Sequence, residues 1–223
     1  MNLAKSFEFF NPSECKGRIH IIGCGSVGST VAELLARFGL TDISLYDFDH
    51  VEDHNLVNQM FVLKDVGQLK VDAVYKHLVE VNPEMKQTVK RYPDGYSNQK
   101  LSGYVFLCVD NIDLRRKIVT ENKYNAGIKA MFDFRTALTS GQHYAANWQD
   151  DIQIQNLLDT MDFSHEEAEK NVPVSACHVS LCVAPTVRLV SMVGVTNFIN
   201  FVKDGHLKNN ILTDPFSFNI TVF

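Results

Sequence analysis

The sequence has few cysteines, no block of one charge and no long uninterrupted apolar run, and each shortage excludes a class of protein. Its five cysteines are an odd number with no paired framework, which argues against a disulfide scaffold, and no two are spaced as CxxC, which argues against a zinc site of two cysteine pairs. Lys and Arg are scattered and the net charge is −5, so no surface for nucleic acid or an anionic membrane is expected. The longest apolar tract, residues 179–202, contains Pro185 and Arg188, which favours a buried helix over a membrane span.

The composition is that of an ordinary folded domain. Hydrophobic residues make up 45% of the chain and charged residues 21%, values typical of globular proteins. A chain of 223 residues can bury a sizeable core without disulfides or metals. The N-terminal segment lacks the layout of a signal peptide, and the odd number of cysteines fits a reducing compartment. A cytoplasmic location is therefore expected, but these numbers identify no function.

A glycine-rich turn between a short strand and a helix is the first informative pattern. Residues 18–22 form an apolar run typical of a buried strand, and GCGSVG at 23–28 follows at once. Residues 31–38 then carry apolar side chains at helical spacing, Gly39 is a natural helix end, and 42–48 is predicted to be a second strand. This succession of strand, glycine turn, helix and strand is typical of α/β domains that bind nucleotides.

The residues of the glycine motif have separate expected roles. Gly23 would allow a tight turn, Gly25 would let a phosphate approach the backbone, and Gly28 would let the helix pack closely on the strand. Ser26 opens the helix, whose free N–H groups and dipole favour an anion. The motif by itself could also be a packing turn. We treat these four residues as predicted nucleotide contacts.

The rest of the chain continues the alternation of strands and helices. Residues 149–176 are polar and acidic, and we interpret them as a mobile crossover segment that contains a short helix with a capping box from Ser164 to Glu167. Helices are also predicted over 71–82, from 112 to about 125, and over 178–203 around Pro185; further strands are predicted at 86–91, 104–109, 129–134 and 143–148, with a hairpin over 209–223.

Three acidic residues follow predicted strands, where ligands bind in open α/β sheets. Asp47 lies 19 residues after Gly28, a spacing at which a carboxylate can accept hydrogen bonds from ribose hydroxyls. Asp49 projects to the same side if the strand continues. Asp110 ends the apolar run 104–109. Each could instead cap a turn or a helix, and at this point a dehydrogenase, a methyltransferase and an ATP-using enzyme all remain open.

Four later segments follow the glycine motif in order: DFDHVEDHNLVNQ, GQLK, CVDN with an Arg four residues on, and SACHVSLCVAP. Together they resemble the ThiF/MoeB/HesA family of adenylating enzymes, which are related to ubiquitin-activating enzymes, in a minimal form without CxxC pairs. That family's pattern runs GxGxxG, DxDxVxxxNLxRQ, GxxK and (T/V)DN followed by Arg, and the resemblance covers about residues 17–203. The matching positions are Gly23, Gly25, Gly28, Asp47, Asp49, Val51, Asn55, Leu56, Gln59, Gly67, Lys70, Asp110, Asn111 and Arg115.

The resemblance implies one adenylation domain over 1–223 with a Rossmann-like α/β fold, in which a mostly parallel sheet has helices on both faces and antiparallel strands at its C-terminal edge. Its parts would be a nucleotide-binding half (17–148), the crossover segment (149–176) and a C-terminal helix with edge strands (177–223). The implied activity is ATP-dependent adenylation of the C-terminal carboxylate of a small ubiquitin-like or sulfur-carrier protein, or of a peptide, with release of pyrophosphate, by a homodimer.

The resemblance also implies roles for polar residues. The transition state gathers negative charge, so cations must stand where that charge develops. Lys70 would contact the phosphates, and Asp110 would hold Mg²⁺, which keeps water ligands and bridges phosphate oxygens. Arg115 could order its loop or touch phosphate. The implied nucleotide-binding set is completed by Asp47, Asp49, Asn55, Gln59 and Asn111.

Two departures from the family pattern put the activity in question. The arginine of NLxRQ is Asn58 here, and MNLAKSFEFFNPSECK shows no match to the family's N-terminal arginine segment. Arg135, Lys16 and Arg18 are candidates to supply the missing positive charge. The alternatives are a nucleotide-binding scaffold without catalysis and an NAD-dependent oxidoreductase, which would leave GQLK and CVDN unexplained.

Cys177 matches a cysteine that some family members link covalently to the activated partner. A helix N-terminus would lower its pKa and favour the thiolate, although a structural cysteine is the simpler alternative. Cys177, His178 and Cys182 are poorly spaced for a metal site. The resemblance implies ATP and Mg²⁺ as cofactors, and the cysteine spacing predicts no zinc.

Overall fold

The computed structural model describes residues 1–170 and 181–223, and an eight-stranded sheet runs through them. The strands in chain order are β1 Ile19–Ile22, β2 Ile43–Tyr46, β3 Lys90–Tyr92, β4 Gly103–Leu107, β5 Ile128–Thr136, β6 Gly141–Asn147, β7 Asn210–Asp214 and β8 Asn219–Val222. Across the sheet they lie in the order β3-β2-β1-β4-β5-β6-β7-β8. The five strands β1 to β5 are mutually parallel, and β6, β7 and β8 are added antiparallel.

Helices cover both faces of this sheet. Those in the described ranges are α1 Ser26–Arg37, α2 Lys70–Val81, α3 Ile112–Glu121, α4 Asp151–Asp159, α5 His165–Lys170 and α6 Ala184–Asp204. Helices α1, α2 and α6 contribute Leu35, Leu78 and Phe198 to the core on one face. Helices α3 and α4 contribute Ile118 and Leu157 to the core on the other. The predicted Rossmann-like fold with a mostly parallel sheet is confirmed.

The central strands position the loops that follow them. Every residue of β1, β2 and β4 is buried, as expected of parallel strands covered on both faces. Their register places Ile22 beside Tyr46 on one side and Leu107 on the other. The carboxyl ends of the three strands therefore meet at one edge of the sheet, although their sequences lie far apart in the chain.

Helix α6 begins at Ala184 rather than at residue 178, where the sequence predicts its start. Val183 has an extended backbone, with φ −106° and ψ 147°. Pro185 stands in the first turn, where its missing N–H removes no helical hydrogen bond. The helix ends at Gly205, whose φ of +77° is readily adopted only by glycine. These local rules move the start of the helix while leaving its predicted end almost unchanged.

The segment 149–176 contains helix α4, which packs on the sheet through Ile154 and Leu157. The sequence interpretation as a polar crossover missed this short apolar stripe. The predicted capping box is confirmed: the Ser164 N–H donates to Glu167 Oε2 at 2.8 Å, and the Glu167 N–H donates to Ser164 Oγ at 3.2 Å. The last six residues of the segment lie outside the described residues, and its mobility stays a prediction.

The C-terminal hairpin is also confirmed. Strands β7 and β8 pair antiparallel, with Ile211 opposite Val222, and β7 joins the sheet against β6. Strands β7 and β8 thus complete the antiparallel extension of the sheet. No helix in residues 1–170 or 181–223 is both long and apolar enough to cross a membrane.

Candidate functional site

The candidate site lies at the edge where β1, β2 and β4 end together. The glycine motif follows β1, the acidic loop with Asp47 and Asp49 follows β2, and Asp110 follows β4. Ligands of open α/β sheets bind at this carboxyl edge, where loops and helix N-termini expose polar groups. The sheet thus brings together three segments that the sequence analysis had to treat separately.

Two glycines of the motif are required by the protein's own packing, and a third is not. Gly23 has φ +96°, and a Cβ there would stand 2.7 Å from the carbonyl carbon of Cys108. A Cβ at Gly28 would stand 1.8 Å from the carbonyl oxygen of Gly23. A Cβ at Gly25 would meet only the side-chain oxygen of Gln59, at 4.0 Å. Gly25 is therefore the glycine with room beside its backbone for a ligand.

Asp47 fastens the glycine turn to the end of β2. Its carboxylate accepts the N–H of Cys24 at 2.6 Å and that of Asp49 at 2.9 Å. Burial raises the pKa of Asp47, and the two backbone N–H donors act in the opposite direction. Because each carboxylate oxygen keeps a second lone pair, these contacts leave Asp47 able to accept a hydroxyl as well. The ribose contact itself stays a prediction.

Asp49 and Lys70 form an ion pair at the start of α2. Lys70 Nζ lies 2.8 Å from Asp49 Oδ2, and the Lys70 N–H donates to the Asp49 carbonyl at 2.8 Å. The Lys70 side chain is only 11% exposed, whereas that of Asp49 is 50% exposed. An ammonium group has three protons, so this pair leaves donors available for an anion.

The turn Asp53–Val57 contributes two amide residues with different surroundings. Asn55 is buried, and its Oδ1 accepts the N–H of Glu52 at 2.9 Å, which closes the turn. Gln59 follows, and its Oε1 is buried without a hydrogen-bond partner among the described residues. Because buried polar atoms are normally satisfied, this oxygen is an acceptor that water or a ligand would complete.

Asn111, and not Asp110, caps helix α3. Asn111 caps α3, because its Oδ1 accepts the Leu114 N–H at 2.9 Å. Asp110 is exposed and forms no hydrogen bond or ion pair with any residue in the described ranges. The alternative in which Asp110 caps the helix is therefore not observed. Its carboxylate remains available to a cation.

Arg115 orders the loop that carries Asp110. Its buried guanidinium donates to the carbonyls of Leu107, at 3.3 Å, and Val109, and it pairs with Asp133. Asp133 is completely buried and is also bound by Arg135 Nε at 2.7 Å. Of the two roles considered for Arg115, the structure shows the loop-ordering one.

The three residues considered as sources of the missing positive charge lie in different parts of the fold. Arg18 and Lys16 precede β1 and so lie at the opposite edge of the sheet, where Arg18 pairs with Asp42. This position excludes both as phosphate ligands at the carboxyl edge. Arg135 is held by Asp133 and by the carbonyl of Thr160, at 2.7 Å, so it is committed to the protein.

One cation near the site was missed by the sequence analysis. Arg188 of α6 donates to Thr30 Oγ1 and, at 3.5 Å, to the carbonyl of Gln59. The signal was present, since Arg188 is the one charged residue in the apolar tract 179–202. Asn58 lies beside it, and its Nδ2 donates to the carbonyl of Cys182 at 2.8 Å.

Burial affects the pKa of the described thiols near the site. Burial raises the pKa of Cys24 and Cys108, and it raises the pKa of Cys182 as well. Cys177, predicted as a possible nucleophile, and His178 lie outside the described residues. Within residues 1–170 and 181–223, no three His, Cys, Asp or Glu side chains are grouped so that they could hold a metal.

Curated relatives match part of the chain. Ubiquitin-like modifier-activating enzyme 5 of Bombyx mori is 32% identical in a 117-residue alignment, and the match covers 46% of this chain and 30% of that protein. The protein of the same name from Arabidopsis thaliana is 42% identical over 67 residues, which are 30% of this chain and 16% of that protein. The matched region is thus about a third, or less, of the length of these relatives.

Solved structures match nearly the whole chain. Escherichia coli MccB with ATP has a TM-score of 0.67 and 17% identity, over 95% of this chain and 65% of that one. Selenomethionine PaaA has a TM-score of 0.72 and 15% identity, over 99% of this chain and 68% of that one. At such identities the likeness shows the fold. The family model described as the ThiF family matches residues 15–222, which confirms the resemblance seen in the sequence: the chain belongs to the ThiF family.

Proposed function

We propose that the protein binds ATP with Mg²⁺ at this edge of the sheet and transfers AMP to the C-terminal carboxylate of a small ubiquitin-like or sulfur-carrier protein, or of a peptide. One observation carries the proposal. The opening of α1, the ammonium of Lys70 and the carboxylate of Asp110 stand at the same sheet edge, and no residue in 1–170 or 181–223 pairs with Asp110. An anion-binding helix start, a cation and a free carboxylate are the groups that a metal-bound triphosphate requires.

The residues present fit the nucleotide and its metal. Gly25 leaves room beside the backbone, and no described residue donates to the buried Gln59 Oε1, as expected where a ligand completes the site. Asp110 would hold Mg²⁺ through a single carboxylate, with waters and phosphate oxygens as the other ligands. Bound there, the metal supplies positive charge to the phosphate oxygens.

The proposed step is a displacement at the α-phosphorus. A carboxylate oxygen of the partner's C-terminus forms a bond to the α-phosphorus. The bond between this phosphorus and the oxygen that bridges it to the β-phosphate breaks. The electron pair leaves with pyrophosphate, and the product is an acyl-adenylate. A terminal carboxyl has a pKa of about 3.5, so it attacks as the anion and needs no base from the protein. Lys70 stabilises the charge that gathers on the phosphates, from a position already fixed by Asp49.

The class of partner is proposed from the relatives. The curated ones are named as ubiquitin-like modifier-activating enzymes, and solved structures of MccB contain ATP or MccA. Both point to a macromolecular or peptide acceptor. A homodimer and a cytoplasmic location are likewise proposals, which follow from the family resemblance and the composition.

A nucleotide-binding scaffold is the second candidate, and one observation favours it. Asn58 replaces the family arginine, and its amide is engaged by the carbonyl of Cys182. An amide cannot supply the charge of a guanidinium to a phosphate.

Two measurements separate these functions. Thermal shift with ATP and Mg²⁺ against NAD tests the nucleotide, and stabilisation by NAD alone would overturn the proposal. ATP–pyrophosphate exchange with ubiquitin-like, sulfur-carrier and peptide candidates tests the reaction. Exchange supports adenylation, whereas ATP binding without exchange across these acceptors supports the scaffold.

A further inference from the structure

Helix α6 brings a guanidinium against the loop that carries Gln59. The Asn58 amide holds the Cys182 carbonyl at 2.8 Å, just before α6 begins. Little more than one turn into the helix, Arg188 reaches Thr30 Oγ1 and the Gln59 carbonyl. The loop and the start of α6 are thus joined by contacts at Asn58 and at Gln59.

Among the described residues, no acidic side chain pairs directly with Arg188. Its partners are a hydroxyl and a carbonyl, and no Asp or Glu of the described residues forms an ion pair with it. Partial burial lowers the pKa of Arg188, because the charged form loses water. The negative charge of Glu33 acts on this pKa in the opposite direction, but Glu33 is engaged by Arg37 at 2.6 Å and by His77 at 3.0 Å. A half-buried guanidinium satisfied only by neutral oxygens favours the arrival of an anion.

The surroundings indicate where that anion would lie. Thr30 is one turn from the start of α1, and its hydroxyl also donates to the Ser26 carbonyl at 2.8 Å. Gln59 Oε1, which no described residue satisfies, belongs to the residue whose carbonyl Arg188 contacts, and it lies at the open side of Gly25. Arg188 therefore contacts the residue whose side chain faces the glycine loop.

We propose that Arg188 is an anion-binding residue of the nucleotide site, which supplies from α6 the positive charge that Asn58 does not and binds the phosphate chain of a nucleoside triphosphate. The inference rests on the proposed function. It explains how one chain can carry an amide at position 58 and still hold a triphosphate. On binding, the Arg188 side chain would leave its weak contact with the Gln59 carbonyl, while its backbone would stay in helix α6.

The test compares ATP with adenosine, because only ATP carries the phosphates. Isothermal titration with Mg²⁺ should show that Arg188→Gln weakens ATP binding about 10- to 100-fold, the loss of a charge-assisted hydrogen bond, and changes adenosine binding less than about twofold. Lys203→Gln, on the same helix but next to Phe9, should change neither. Adding Asn58→Arg to the Arg188→Gln variant should restore much of the ATP affinity.

Each outcome has a defined meaning. Equal losses for ATP and adenosine, or an unchanged affinity for ATP, would overturn the inference while leaving the proposed function standing. A wild-type protein that binds neither ATP nor inorganic pyrophosphate overturns the proposed function and the inference with it. If Arg188→Gln fails to fold, Arg188→Lys carries the test, since it keeps the charge but loses the second donor arm. It should weaken ATP binding several-fold and leave adenosine binding unchanged, and the absence of this difference would also overturn the inference.

Discussion

The carboxylate of Asp49 holds the ammonium of Lys70 at 2.8 Å, with the lysine almost buried and the aspartate half exposed. The same two residues are joined by a backbone hydrogen bond of 2.8 Å, so the loop after β2 is locked to the first residue of α2. The lysine is thereby oriented before any ligand arrives. A group that needs no reorganisation when charge develops is the most effective kind of electrostatic catalyst.

Replacing Lys70 by Ala should lower ATP–pyrophosphate exchange by about 10²- to 10³-fold, because a fixed cation is removed from the proposed phosphate site. Adding Asp49→Ala to that variant should cause little further loss, since Asp49 is expected to act through Lys70. Exchange rates of the two single variants and the double variant form the measurement. Lys76→Ala, an exposed position on the same helix, is the matched control. Additive effects of the two changes would contradict this relationship.

Substitutions of Asp110 and of its neighbour Asn111 should differ in their effects on activity and stability. Asp110→Ala should abolish exchange but leave the free energy of unfolding unchanged, because the side chain forms no hydrogen bond or ion pair with a described residue. Asn111→Ala removes the cap of α3 and should lower the free energy of unfolding by about 1 kcal/mol. Urea denaturation and the exchange assay measure the two effects. A large loss of stability in Asp110→Ala would show that its carboxylate serves the fold instead.

The buried pair of Arg115 and Asp133 should matter more to stability than any surface pair. Asp133→Ala leaves the Arg115 guanidinium buried without its counter-ion and should lower the free energy of unfolding by about 3–5 kcal/mol. Asp72→Ala breaks the partly exposed pair with Arg91 and should cost no more than about 1 kcal/mol. Denaturant titrations of both variants provide the comparison, and equal costs would contradict the assigned role.

Stability should fall as the pH drops from about 6.5 toward 4, because two buried histidines resist protonation. Burial lowers the pKa of His143 to about 4, and it lowers the pKa of His20 to about 4 as well. The unfolded chain takes up these protons near pH 6.5, so each histidine stabilises the fold above that value and loses its contribution as the pH falls.

The expected slope is up to about 1.4 kcal/mol per pH unit for each of the two groups. Urea denaturation at several values between about pH 7 and pH 5 measures it. His143→Asn should reduce the slope, whereas His206→Gln, at an exposed position, should not. A slope that His143→Asn leaves unchanged would show that other groups cause it.

Local sequence patterns predict most of the fold. The glycine turn, α1 and the buried strands follow from apolar spacing and from glycine, which act over a few residues. The C-terminal hairpin and the capping box of Ser164 and Glu167 are confirmed for the same reason. The predictions fail where a few residues in a polar stretch are buried, as Ile154 and Leu157 are in α4.

The sequence by itself determined the family, the sheet edge at which the motifs meet and the residue types found there. Only the tertiary structure decided which side chains are engaged by the protein and which are free. It assigned Arg115 to its loop, committed Arg135 to Asp133, and brought Arg188 to a loop 129 residues away. The physical reason is that spacing along the chain specifies periodic elements, whereas hydrogen-bond and ion-pair partners depend on how those elements pack.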